Sequence, residues 1–342
     1  LLRFVGLKIK YKRFIDLLNA LGKLGITLLG HQTTLRDSLQ FSGVGVHSGQ
    51  EVNMVLLPAD ADTGIVFNVT DPSNPEQTVD LQANLSTVGA TDLCTVLGSV
   101  HSAHAATIEH LMAALRALNV DNVIVELDAG EVPVMDGSSF VFVEAIRSVG
   151  LTSLAARRCY IRVNKPVRVD MGASWGEFIP YEGTRFEVEI DFECEAIGNQ
   201  TFASDITEDV FCNDLSRART FGFMKDVERL WAAGFALGSS LENSVVIGDD
   251  NNIINPEGLR YKDEFVRHKT LDAIGDLALA GAPILGCYRS YRGGHKLNAM
   301  VLSALLSDKE AFDFVEPPMS RPKIMHGELV AVSAPAYAAV LV

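Results

Sequence analysis

The sequence predicts an α+β protein of two similarly built domains, and three observations carry that expectation. Its 342 residues, 48% of them hydrophobic, can bury more than one core usually organises. Each half opens on apolar and polar residues in alternation, as half-buried strands do, and then changes to helical spacing. Both halves end on the same order of elements: helix, strand, glycine turn, helix.

In chain order, TTLRDSLQFSGVGVHSGQEVNMVLLPA from Thr33 reads as antiparallel strands around glycine turns. Residues 107–118, TIEHLMAALRAL, have helical spacing; DNVIVEL follows as a strand, MDGSS as a turn and FVFVEAIRSVG as a second helix. The second half opens on the strands YIRVNKPVRVD and RFEVEIDFE. A long helix is expected over 264–281, then the strand ILGCYRSY, the turn GGH and the helix KLNAMVLSALL. Phe221 to Gly258 has no counterpart in the first half and reads as an inserted strand, helix and strand. The expected limits are 1–32 for a dispensable N-terminal extension, 33–156 and 157–310 for the two α+β domains, 221–258 for the βαβ insert and 311–342 for a C-terminal tail. No low-complexity linker marks the join near Ala155 to Arg158, so the domains are expected to pack closely.

Composition narrows the function classes. A formal net charge of -14 argues against a nucleic-acid partner, which needs clustered Lys and Arg. No run of about 18 apolar residues occurs, so no spanning helix is expected. Cys94, Cys159, Cys194, Cys212 and Cys287 include no CxxC pair and read as reduced thiols of a cytoplasmic protein, expected to be a monomer. The first 30 residues carry six Lys or Arg against one Asp, which suits peripheral contact with an anionic membrane surface. They lack the apolar core and cleavage site of a secretory signal, and a dispensable extension is the favoured reading.

FVRHKTLDAIGDL, from Phe265 to Leu277, places His268, Asp272 and Asp276 at intervals of four on one helical stripe. Such a stripe either faces water or holds a metal ion. In TIEHLMAAL, Glu109 directly precedes His110, and adjacent helical residues diverge by about 100°, which suits different jobs better than shared ligation. With His110 as a ligand, Glu109 would sit where a base is needed. His110, His268 and Asp272 together would leave a fourth coordination position open, the arrangement of a catalytic rather than a structural zinc site. HExxH, paired cysteines, GxxxxGK[ST] and a glycine-rich dinucleotide loop are all missing from the sequence. His295 in YRGGHKLN stands at a loop-to-helix junction, where a histidine can hold or deliver a proton.

VGVHSG, TIEHLMAAL, VPVMDGSS, SRARTFGF, GLRYKDEFVRHKTLDAIGDL and GGHKLN, in this order, closely resemble the bacterial UDP-3-O-acyl-N-acetylglucosamine deacetylases of lipid A synthesis, over about residues 33–310. The resemblance implies helices sandwiched between two sheets and an active site between the domains. It implies a Zn2+ ion held by His110, His268 and Asp272, with Glu109 as general base. His295 would protonate the leaving amine or stabilise charge as it forms, oriented by Asp276. Thr220 would hydrogen-bond the oxyanion, Phe221 and Lys269 would contact the UDP-3-O-acyl-N-acetylglucosamine substrate, and the insert would take its acyl chain. His47 and Asp136 also fall in matching motifs but receive no catalytic role, while Phe140 and Val141 depart from the pattern after MDGSS. Two other readings stand beside this one: another zinc amidase acting on a sugar nucleotide, and a non-catalytic sugar-nucleotide binding protein. The intact set of Glu109, His110, His268, Asp272 and His295 argues against the second.

Overall fold

The computed structural model describes residues 30–71 and 73–317. Alternation in the first half becomes a five-stranded sheet of β2 (Leu39–Val44), β3 (Glu51–Pro58), β4 (Ile65–Asp71), β5 (Asn74–Gln82) and β9 (Val123–Leu127), in the order β2-β3-β9-β4-β5. Val52, Met54 and Leu56 project from one face of β3 into the core, and the residues between Val52 and Met54 and before Val52 are exposed, the period-two pattern of a one-sided sheet. Helices α1 (Glu109–Ala117) and α2 (Phe140–Val149) supply the opposing apolar surface, and Phe142 of α2 meets Phe41 of β2 edge to face at 5.3 Å. A small sheet of β6 (Val88–Ala90), β7 (Val96–Gly98) and β8 (His104–Ala105) flanks the entry to α1.

The insert contains β16 (Phe221–Phe223), α3 (Met224–Ala232) and β17 (Val245–Ile247), with its two strands parallel, as the sequence predicts. Helices α4 (Glu264–Leu277) and α5 (His295–Ser307) cover the second sheet. At the centre of that sheet β18 (Ile284–Tyr291) runs parallel to β14 (Thr184–Asp191) and β11 (Tyr160–Val163), and antiparallel to β13 (Ser174–Ile179). It is completed by β12 (Val167–Met171), β15 (Asn199–Asp205) and β19 (Phe312–Val315). Because β19 pairs with β11, Tyr160 opposite Val315, this sheet reaches past residue 310 into the segment expected to be a tail.

Helices of the two halves meet between the sheets. A Cβ on Gly275 of α4 would lie 2.0 Å from the Glu109 carbonyl oxygen of α1, so only glycine permits this approach. This contact brings the first turn of α1 against the last turns of α4, and so sets the distance between the residues considered below. Leu35 of β1 (His31–Leu35) pairs with Leu151 of β10 (Leu151–Arg157), a strand that runs through the region expected to join the halves. Just beyond it, the buried Arg158 bonds Asp121 and Asn119 of the first half.

The extension expected over 1–32 lies outside the described residues except at its end, and there the expectation is corrected. His31 and Gln32 belong to β1, and Gln32 donates a 2.7 Å hydrogen bond to Asp62. The five cysteines are free thiols. Among the described residues, no helix is long and apolar enough to cross a membrane.

Candidate metal centre

Nearly every residue of α4 is buried, which excludes a water-facing role for its polar stripe. His268 and Asp272 are each 2% exposed and Asp276 3%, on a helix covered by α1 on one side and the second sheet on the other. The polar stripe is therefore turned inward, where each group needs a partner.

His110 and His268 present Nε2 to the same carboxylate oxygen, Asp272 Oδ1, at 3.5 and 3.3 Å. Their donor atoms lie within 4.8 Å of one another, a group that could hold a metal ion. Zinc–ligand bonds of about 2.0–2.1 Å in a tetrahedron put neighbouring ligand atoms about 3.3 Å apart, so the spacing fits. Asp272 Oδ1 is buried without a hydrogen-bond partner, whereas Oδ2 accepts 2.8 Å from Lys269 Nζ. A lone buried anionic oxygen between two imidazoles is costly unless a cation joins them.

The protonation states suit ligation. His268 Nδ1 lies 3.1 Å from the Ala218 carbonyl, which can only accept, so Nδ1 carries the proton and Nε2 keeps its lone pair. Burial pushes the His268 pKa down to about 3, against the pull of Asp272, and the ring is neutral. Burial opposes ionisation of Asp272 too, but its surroundings, the Lys269 ammonium on Oδ2 among them, outweigh it and hold the carboxyl well below its ordinary range.

Glu109, one residue before His110, points elsewhere. Its Oε2 accepts from the Thr95 backbone N–H at 3.1 Å, and Oε1 lies 3.7 Å from His295 Nε2. Burial lifts its carboxyl above the ordinary value, against His295 and His110. His295 is the first residue of α5, and its Nδ1 bonds Asp276 Oδ2 at 2.9 Å. Burial opposes charge on this ring, but Asp276 and Glu109 overcome it and raise its pKa to about 9, so it is protonated at neutral pH.

Thr220, Phe221 and Lys269 line a cavity of about 350 Å³ together with Glu109, His110, His268, Asp272 and His295. Thr220 is fixed from two sides. Its N–H donates to Gly137 O at 2.8 Å, in the MDGSS turn, where φ is 80° and a Cβ would meet the Asn243 carbonyl oxygen at 2.0 Å. On the other side, the buried Arg219 bonds Glu264 Oε1 at 2.9 Å and Gly258 O at 2.7 Å, anchoring the backbone that presents both Ala218 O and Thr220. Phe221 packs its ring edge to face on Phe265 at 4.9 Å.

The insert divides its apolar residues between two places. Phe223, Met224, Leu230 and Trp231 line the cavity, and no residue of α3 is buried, so α3 does not form a satellite core. Phe235 instead meets the His47 ring edge to face at 5.6 Å, and the N–H of Leu237 donates to His47 O. Asp136 has the turn role that the sequence allowed, accepting from Ser138 and bonding Arg260.

Two cavity neighbours went unassigned by sequence. His47 lines the cavity with a buried Nδ1 that has no partner, and its backbone N–H is held by Glu131. Its motif VGVHSG gave a signal without a role. Thr95 gave none, since it lies outside every motif of the sequence.

The family model of UDP-3-O-acyl N-acetylglycosamine deacetylases matches residues 32–307 of the chain. Over 286 residues the chain is 59% identical to the UDP-3-O-acyl-N-acetylglucosamine deacetylases of Brucella ovis, Brucella canis and Brucella melitensis, a span of 84% of this chain and 99% of each relative. As the match runs through both halves and the insert, and so through every residue that lines the cavity, the chain belongs to the LpxC family of UDP-3-O-acyl N-acetylglycosamine deacetylases and is an amide hydrolase.

Proposed function

We propose that the chain catalyses zinc-dependent hydrolysis of the N-acetyl group of UDP-3-O-(3-hydroxyacyl)-N-acetylglucosamine, giving acetate and the free amine, as the committed step of lipid A synthesis. It would act as a monomer in the cytoplasm of a Gram-negative bacterium. The observation that carries this reading is the unpartnered Asp272 Oδ1 between His110 and His268, on the wall of a cavity that also holds Glu109 and His295. The names of the relatives supply the substrate.

His110, His268 and Asp272 would hold the zinc. Bound there, the ion would polarise the acetyl carbonyl and lower the pKa of water to about 7. Glu109 takes a proton from the attacking water, and burial, by raising its proton affinity, makes it a stronger base. As the carbonyl carbon becomes tetrahedral, the Thr220 hydroxyl donates to the oxygen that gains charge. His295 gives its Nε2 proton to the departing nitrogen, because an amine leaves poorly until it is protonated. Asp276 keeps that imidazole charged and oriented. Water thus supplies hydroxyl to the acetyl carbon and, through the two side chains, a proton to nitrogen.

Phe223, Met224, Leu230 and Trp231 give the acyl chain an apolar passage, which begins at Phe221 beside Thr220. Each methylene moved from water contributes about 0.8 kcal/mol, so shortening the acyl chain by two carbons should weaken binding by about 1.6 kcal/mol, roughly fifteenfold. An amine-release assay over an acyl-length series tests both parts. Equal efficiency on long-acyl and deacylated UDP-sugars would sink the passage, and tight binding without amine release would favour a sugar-nucleotide binding protein.

A further inference from the structure

We propose that Thr95 is a positioning residue for deacetylation: it ties the carboxylate of Glu109 to that of Asp276, so that base and acid are held in one fixed relation. The proposal rests on the chemistry assigned above to Glu109 and His295. Thr95 immediately precedes β7 and is 2% exposed. All its polar groups are engaged with the site or its helix. The backbone N–H donates to Glu109 Oε2 at 3.1 Å, the hydroxyl donates to Asp276 Oδ1 at 2.6 Å, and the carbonyl accepts from Ile108 N at the entry to α1.

A buried threonine commonly satisfies its hydroxyl on a nearby carbonyl, as Thr270 does on Val266 O. Thr95 instead reaches a carboxylate 181 residues away in sequence, on the helix of the other half. Asp276 Oδ2 is already occupied by His295 Nδ1 at 2.9 Å and by Asn298 Nδ2 at 2.7 Å, and the Asn298 oxygen is in turn held by Tyr288 OH at 2.6 Å. The Thr95 hydroxyl therefore completes the clamp by fixing the second oxygen, and with it the plane of the carboxylate that aims the His295 ring. Its N–H does the same for Glu109, leaving Oε1 turned toward His295 Nε2. Charge-assisted bonds of this kind are the stronger ones, and misplacing a reacting group by about 1 Å can cost about 100-fold.

The test compares T95V, which keeps shape and N–H but loses the hydroxyl, with T95S, which keeps the hydroxyl. T95A deletes the same hydroxyl without adding a methyl, so a packing failure of the valine protein does not remove the test. Loss of the hydroxyl is expected to lower kcat about 10- to 100-fold, with KM and bound metal within about twofold of the parent, and T95S is expected to restore kcat. A second readout needs no substrate: in ¹⁵N-histidine-labelled protein, the His295 Nδ1–H proton resonance, assigned by its absence from His295→Ala, should move upfield or broaden in T95V and T95A and return in T95S. If the parent released no amine, the deacetylase reading would fall while this resonance still judged the clamp. An unchanged resonance and kcat in T95V, or a loss of activity that follows metal loss or that T95S does not restore, would overturn the proposal.

Discussion

The Glu109→Ala protein is expected to keep its metal and to lose about 10² to 10⁴ in turnover, the usual worth of a positioned base. Glu109 is adjacent to the proposed ligand His110 in sequence, but the divergence of neighbouring helical side chains sends its carboxylate to Thr95 and His295 rather than to Asp272. Removing it therefore leaves the three donor atoms and their supports, Ala218 O and Lys269, in place. Metal analysis of the purified variant, paired with single-turnover amine release, checks both halves of the expectation. Near-normal turnover would show that another group takes the proton.

The histidines are expected to separate in the same two measurements. His110→Ala and His268→Ala should lose metal and, with it, activity to at least the extent of the base variant, because each removes one of three donors and leaves Asp272 Oδ1 with one imidazole neighbour in place of two. His295→Ala should retain metal and lose mainly kcat. Its ring is committed to Asp276 through Nδ1 and faces Glu109 through Nε2, so neither nitrogen belongs to the ligand group. Loss of metal from a folded His295→Ala protein would move His295 among the ligands and overturn the assignment.

Much of this arrangement was legible in the sequence, and the limits of that legibility have physical causes. The period of four put His268, Asp272 and Asp276 on one stripe, but periodicity reports only which residues share a face, not what covers that face. That depended on Gly275, whose missing Cβ lets α1 lie against α4, a contact between residues 166 positions apart in the chain. The insert was visible as an element without a counterpart, yet the division between Met224 and Trp231 in the cavity and Phe235 on His47 needed the fold. β19 was hidden because FDFV is four residues long and finds its partner in β11, near the start of the second half. Thr95 and the Ala218 carbonyl were beyond sequence reasoning altogether, since one lies outside every motif and the other is backbone.

The central claim is that His110, His268 and Asp272 hold one ion on which amide hydrolysis depends. The direct measurement is amine release from UDP-3-O-acyl-N-acetylglucosamine as a function of zinc per chain, starting from chelated protein. Activity should be absent without metal, rise in proportion to bound zinc, and reach its maximum at about one ion per chain. Full activity in protein shown to be free of metal would contradict the account, as would zinc binding by His268→Ala as tight as the parent's.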